Sequence, residues 1–291
     1  MEWKTRVTDL LGCKYPILQG AFGLYGTWQF AACVADTGAF GTITASNSRT
    51  PEELREAIRN CRKTTRGRFG VNFTIGNCPR IEDMLEVCIE EKVPVETSLD
   101  KPDALVPRIK EAGLTWIHKA ARVKDAVHAQ DAGADAIILV GLEGTGRKSP
   151  EQLPTMTTII WGRRQIKVPL IAAGGIGDAH GFLAALGMGA DGIMMGTAFV
   201  ATKECPISDT AKKTIVMTSP DNPELRQQVM MIGGWKTPVN TKPLPTGPGR
   251  PQSISFAAGV IDSVPTVREL IDGIIHDAES ILNSWRFLKR V

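Results

Sequence analysis

Short runs of apolar and β-branched residues alternate along this chain with segments of helical periodicity. Pro16-Ile17-Leu18-Gln19-Gly20 predicts a first strand, followed by a helix from Trp28 to Thr37. Gly41 to Thr44 predicts a second strand. Thr50-Pro51-Glu52-Glu53 then opens a helix, with an N-cap and a proline in the first helical position. Phe69 to Phe73 reads as strand three, with its helix over Ile81 to Glu91. Strands four and five, Pro94 to Ser98 and Thr115 to Lys119, flank a helix over Asp103 to Ala112. Gly113 and Gly133 stand where helix C-terminal caps belong. Ala136 to Gly141 is almost wholly apolar, as a strand buried on both faces should be. Pro169 to Gly174 and Gly192 to Gly196 complete eight strands.

Eight strands, each followed by a helix, predict a parallel (β/α)8 TIM barrel of the α/β class. The alternative is an open doubly wound sheet, which wants a GxGxxG after its first strand. Gln19-Gly20-Ala21-Phe22-Gly23 lacks that spacing. After strand eight the rhythm changes. Residues 207–235 read as two helices, and 236–252 hold five prolines (Pro238, Pro243, Pro245, Pro248 and Pro251). An amphipathic helix from Val267 to Leu288 ends the chain. The expected organisation is a cofactor-binding barrel over 1–206, a helical and Pro-rich lid or insertion over 207–255, and a helix over 256–291 that packs on the barrel.

Composition narrows the classes. Hydrophobic residues make up 43% of the 291 and charged residues 22%, which excludes a disordered chain. Against 31 acidic residues stand 34 basic ones; a net charge of +3 is too small to predict a nucleic-acid or membrane-surface partner. No apolar run of about 18 residues is present to span a bilayer. The first residues, Met1-Glu2-Trp3-Lys4-Thr5-Arg6, lack the apolar core of a signal peptide, so a cytoplasmic protein is expected. The six cysteines form no CxxC pair and have no histidine at zinc-ligand spacing; free thiols and no metal site are expected.

In a barrel the chemistry sits at the C-terminal ends of the strands. Those ends include Gln19-Gly20, Thr44, Asn72, Ser98, His118-Lys119, Gly141-Leu142-Glu143, Gly174-Gly175 and Gly196-Thr197. The last two pairs stand 22 residues apart at the seventh and eighth strands, where barrels bind phosphate on glycine turns and helix N-termini. Lys119 is a candidate cation for a phosphate or a flavin.

The chain resembles the nitronate monooxygenase family, once called 2-nitropropane dioxygenases, which includes FMN-dependent enoyl-acyl-carrier-protein reductases. The matching stretches are Tyr15 to Phe22, Phe69-Gly70-Val71-Asn72, Gly133 to Ile137, Val168 to Ile176 and, most closely, Gly189 to Thr202. The resemblance implies non-covalent FMN at the barrel mouth. Ala173, Gly174, Gly175, Met195, Gly196 and Thr197 would hold its phosphate end. Asn72 and Lys119 would lie along the cofactor, and the Gly20-Ala21-Phe22 backbone against the ring. It further implies oxidation of alkyl nitronates or, with NADH or NADPH as electron donor, reduction of an enone or acyl thioester. A homodimer is compatible with the resemblance.

The sequence departs from the family after strand six, where a histidine base is expected. Glu143-Gly144-Thr145-Gly146-Arg147 places Arg147 at that position. A guanidinium cannot accept a proton at any workable pH, but it can bind an anion or stabilise developing negative charge. Among the four histidines, His118 is the first candidate for a substitute base. Strand alternation, however, lets only one of His118 and Lys119 face the barrel axis. His180 reads as a surface residue, and His128 and His276 as structural. A flavin-free lyase or isomerase barrel, using Lys119 with Glu96 or Glu143, and a flavin protein without turnover remain as competing readings.

Overall fold

The computed structural model describes residues 2–99, 101–145, 147–149, 151–222, 225, 230–231 and 254–285. The Pro-rich segment 236–252 expected to cover the mouth lies outside the described residues. Eight parallel strands close into a barrel: β1 (Ile17–Gln19), β2 (Phe40–Thr44), β3 (Arg68–Thr74), β4 (Val95–Ser98), β5 (Trp116–Ala120), β6 (Ala136–Val140), β8 (Leu170–Ala173) and β9 (Gly192–Met195). The TIM-barrel reading is therefore correct, and the open sheet is excluded. Closure runs between β9 and β1, with Ile17, Leu18 and Gln19 opposite Ile193, Met194 and Met195. The β1–β2 seam is thin, with Leu18 opposite Phe40 as its registered pair. There the fully buried Gln19 lends its Oε1 to the Thr42 N–H at 3.1 Å, so a side chain replaces a ladder bond.

Alternation along each strand separates two cores. Leu18, Phe40, Ile117, Ala136, Ile138, Ile171 and Met194 point inward and pack together. The outward set, including Ile17, Val71, Val95, Trp116, Ile137, Leu170 and Ile193, packs under the helices. A helix that the periodicity did not predict, α1 (Arg6–Leu11), plugs the N-terminal end of the barrel through Val7 and Leu11. Its six residues span under two turns, too short to show a helical repeat. The structure marks its ends instead, with a Thr5–Thr8 capping box and Gly12 at φ 66°.

The helices α2 (Trp28–Ala35), α3 (Pro51–Thr64), α4 (Ile81–Glu90), α5 (Val106–Glu111), α6 (Val123–Asp131), α7 (Thr155–Gln165) and α8 (Ala179–Gly187) follow the strands as expected. Thr50 caps α3 through the Glu53 N–H, and Gly113 and Gly133 take φ values of 64° and 101° just past α5 and α6. After β9 comes only a four-residue helix, α9 (Thr197–Val200). The vacant place in the helical layer is taken by α11 (Val267–Ser284), which packs against both α8 and α2. Its start is held by a Thr266–Glu269 capping box, and Trp3 Nε1 donates to Glu279 at 3.1 Å.

Of the two helices expected over 207–235, the first is α10 (Asp209–Val216); Leu225 is helical too, and most of the stretch around it lies outside the described residues. Met230–Met231, inside the stretch read as helical, are extended instead. They form β10, which pairs in parallel with β7 (Arg147–Lys148). Pairing with a distant strand, invisible to local periodicity, decides that conformation.

Candidate functional site

The C-terminal ends of the barrel strands surround a cleft of about 280 Å³ that continues into a smaller recess over the glycine turns. Its two halves differ in chemistry. Toward β6, β8, β9 and β1 the walls are small or apolar: Val140, Ala173, Met194, Gly20 and Gly196. Toward β2 to β5 the inward positions are polar, with Thr42, Thr44, Asn72, Thr74, Glu96, Ser98 and Lys119.

The turn after β8 bends through Gly174 at φ 111° and Gly175 at φ 75°, conformations that an L side chain rarely adopts. A Cβ on Gly174 would come within 2.9 Å of the Gly144 amide nitrogen and of Thr155 Oγ1. Gly196, at the start of α9, makes no side-chain cap. Among the described residues a Cβ there would meet only the Phe22 ring, at 3.8 Å. The first N–H groups of α9 have no carbonyl within their own helix. Ser255 closes this corner, donating its N–H to Thr197 Oγ1 at 3.0 Å.

Glu143 pins the same corner. Its Oε2 accepts from the Thr155 N–H and hydroxyl, both at 2.7 Å, while Thr155 Oγ1 also lies 3.0 Å from the Gly174 carbonyl. The Glu143 carbonyl accepts from the Phe256 N–H at 3.1 Å. This carboxylate thus ties the loop after β6 to α7 and the β8 turn.

Inside the barrel, Asn72 Nδ2 donates to Glu96 Oε1 at 2.8 Å and to Ser98 Oγ at 3.2 Å, and Thr74 Oγ1 donates to Asn72 Oδ1 at 3.0 Å. Burial pushes the Glu96 carboxyl up to about 7, against the opposing pull of Lys119 and the Asn72 hydrogen bond. Burial lowers Lys119 from the usual lysine range, and the Glu96 charge partly restores it. Lys119 is half-buried and lines both parts of the cleft. No hydrogen-bond or ion-pair partner meets its ammonium among the described residues.

Of the residues singled out by sequence, Gly20, Ala21, Phe22, Lys119, Ala173, Gly174, Gly175, Gly196 and Thr197 line the recess together. Asn72 sits beneath them, fully buried. Met195 points outward into the helix-packed core, and its neighbour Met194 lines the recess. His118 lies on the outer face of β5, buried, with Nδ1 2.8 Å from Thr97 Oγ1; burial lowers it to about 4. His128 meets Asp103 on the surface, and His180 and His276 are exposed, so no histidine lines the mouth among the described residues. The Arg147 backbone runs in β7, and its side chain lies outside the described structure. Thr155, Ser255, Val140 and Thr145 are residues of this corner that sequence reading missed; spacing along the chain carries no signal for them.

Among the described residues no cluster is placed to hold a metal ion, and no helix is long and apolar enough to cross a membrane. All six cysteines are free, with Cys33 and Cys78 half-buried and the others buried.

The backbone at Gly196 is open toward the recess, and Lys119, half-buried and without a partner among the described residues, lines the same recess; these features are compatible with an anionic cofactor such as a flavin mononucleotide.

The family model of nitronate monooxygenase matches residues 4–88 and 80–232. A probable nitronate monooxygenase of Staphylococcus aureus is 30% identical over 257 residues, covering 73% of this chain and 72% of that one. A (3aS,4S,5R,7aS)-5-hydroxy-7a-methyl-1-oxo-octahydro-1H-indene-4-carboxyl-CoA dehydrogenase of Mycobacterium tuberculosis is 33% identical over 226 residues; the match covers 76% of this chain but only 62% of that relative. The structure of FabK from Thermotoga maritima superposes with a TM-score of 0.82 at 30% identity, covering 96% and 97% of the two chains. A nitroalkane oxidase of Streptomyces ansochromogenes, at 20% identity and a TM-score of 0.78, shares the fold. With the family model spanning most of the barrel and a relative at this identity covered over most of its length, the chain belongs to the nitronate monooxygenase family.

Proposed function

We propose that this protein is an FMN-dependent oxidoreductase that oxidises alkyl nitronates with O2. The observation that carries the reading is the convergence of the Gly174-Gly175 turn, the Gly196-Thr197 turn and Lys119, which meets no partner among the described residues, on one recess. Bound FMN would supply a two-electron acceptor that can also react with oxygen. Backbone N–H groups of the two turns would hold the phosphate, favoured by the start of α9. Ala173 and Thr197 belong to that phosphate end. The Gly20-Ala21-Phe22 backbone would lie against the ring, with Lys119 along it and Asn72 holding the polar floor below.

Arg147 would bind the negative charge of an ionised nitronate and hold it in the cleft. It cannot remove a proton, and His118 faces away from the mouth. The substrate should therefore arrive already ionised. Anaerobic reduction of the bound flavin against a panel of nitronates, neutral nitroalkanes, NADH and NADPH tests this. Rapid reduction by nitronates supports the reading, and reduction only by a nicotinamide overturns it.

A second reading is a reductase of enones or acyl thioesters with NADH or NADPH as donor. It is favoured by the likeness to FabK and to the carboxyl-CoA dehydrogenase, and by the shape of the cleft. The cleft extends past Lys119 to Tyr25, Asn77 and Leu99, and Leu99 takes the strained φ of 82° there. That arm, where Tyr25 and Leu99 stand beside Ser46, Thr74, Asn77 and Ser98, lies beyond the glycine turns and is where an acyl chain would lie.

A further inference from the structure

Glu96 is an unusual residue for the middle of a barrel. It is 3% exposed, points inward from β4 and sits one layer below Lys119, since Ser98, two residues on, registers with Lys119. Its Oε1 is held by Asn72, whose other bonds run to Ser98 and Thr74, so the carboxyl is fixed in position and shielded from solvent. The inward neighbours from the other strands are neutral. Thr42 and Thr44 come from β2, Asn72 and Thr74 from β3, Ile117 from β5, Ile138 and Val140 from β6, Ala173 from β8, Met194 from β9 and Leu18 from β1. Lys119 is the one charged group among the described residues that acts on it.

We propose that Glu96 is a positioning residue that balances the charge of the cleft, taking up a proton when an anion arrives beside Lys119. The inference rests on the reading of the mouth as a flavin site that receives anions. Two ionisable groups in one low-dielectric interior must share a net charge. With Glu96 ionised, the pair is neutral and Lys119 attracts an incoming anion weakly. With Glu96 protonated, the full positive charge of Lys119 faces the cleft. By linkage, whatever anion prefers the second state draws a proton onto Glu96. The bond made is Oε–H on Glu96, the proton comes from solvent, and no electron moves. Burial already holds the carboxyl near neutrality, so the exchange falls within the working pH range. This device would serve a cleft with no histidine at its mouth, because it supplies positive charge on demand without a base that touches the substrate.

The probe is nitrate, an anion of fixed charge, titrated into the FMN-bound protein between pH 6 and 8. For the wild type, its dissociation constant should rise about fivefold between pH 6 and 8, on the way to the roughly tenfold limit that a unit charge about 10 Å away produces at an effective dielectric near 20. Glu96→Gln should flatten the profile at the tight-binding limit, while Glu96→Asp, which still titrates, should keep a slope. Calorimetry on the wild type in two buffers of different ionisation heat counts protons and needs no variant. Roughly half a proton should be taken up per nitrate at pH 7.5 if the carboxyl moves up by about one unit. No nitrate binding at either pH, a flat wild-type profile, zero proton uptake, or an unchanged slope in Glu96→Gln each overturns the role of Glu96. A protein that takes up no flavin overturns instead the reading on which it rests.

Discussion

Replacing Gly175 separates backbone strain from charge at the turn after β8. The residue sits at φ 75°, and a Cβ there would stand 2.9 Å from Glu143 Cβ. For an alanine, the left-handed conformation costs about 1–2 kcal/mol. The contact also pushes on Glu143, whose Oε2 accepts two hydrogen bonds from Thr155. Losing the equivalent of one such charged bond adds about 1.5–3 kcal/mol. Gly175→Ala should therefore be destabilised by about 3 kcal/mol, which for a chain of this size lowers Tm by roughly 5 °C. Gly175→Asp carries the same strain and adds a carboxylate at the proposed phosphate position. Two unit charges about 4 Å apart at an effective dielectric near 20 repel by about 4 kcal/mol, or about a thousandfold in FMN affinity. Thermal unfolding followed by circular dichroism reads the first effect, and the visible absorbance of the purified protein reads the second. Gly187→Ala is the control: it lies at the end of α8 with nothing within 4 Å of its Cβ position, and should gain up to about 1 kcal/mol. An unchanged Tm in Gly175→Ala refutes the strain argument. Full flavin occupancy in Gly175→Asp refutes the phosphate assignment.

Two further outcomes test the proposed role of Arg147 and the burial of His118. Arg147→His should introduce turnover of neutral nitroalkanes, with a general base contributing about 10²–10⁴-fold, whereas Arg147→Ala should weaken nitronate binding and recover none; efficient wild-type turnover of a neutral nitroalkane, seen in steady-state kinetics, would defeat the assignment. His118, lowered to about 4 by burial, takes its proton in the unfolded chain first, so wild-type stability should fall as pH drops from about 6.5 to 4, by on the order of 3 kcal/mol. In urea unfolding, His118→Gln should lack that loss, and parallel pH profiles for the two proteins would contradict the buried neutral imidazole.

The fold was legible where local signals agree with tertiary demands. Strands buried on both faces announce themselves as β-branched runs, and Gly113 and Gly133 mark helix ends because only glycine takes those φ values cheaply. It was illegible where a few residues are held by distant partners. The six residues of α1 form because the open end of the barrel needs Val7 and Leu11 over Leu18 and Phe40. Met230–Met231 are extended because Arg147–Lys148 pair with them. The helix ending the described chain completes the shell beside α8 because α9 stops after four residues.

The site divides along the same line. Glycine turns at strand ends are written in the local sequence, and they converge as the strand order requires. Which of two adjacent residues faces the axis depends on the phase of the pleat. Met194 and Met195 are chemically identical, so nothing local says that Met194 is the one inside. At His118-Lys119 the phase is decided by Lys119, whose inward position sends the imidazole out to Thr97. The same phase carries Glu96 inward on the neighbouring strand. An acid in an apolar strand reads locally as a solvated edge or a ligand to something else. Only the closed barrel, with Asn72 on one side and Lys119 one layer above, turns it into a carboxyl whose charge is set by what enters the mouth. The chemistry of this barrel is thus distributed between two kinds of residue: glycines that sequence displays openly, and a buried polar layer whose meaning exists only once eight strands have fixed one another's register.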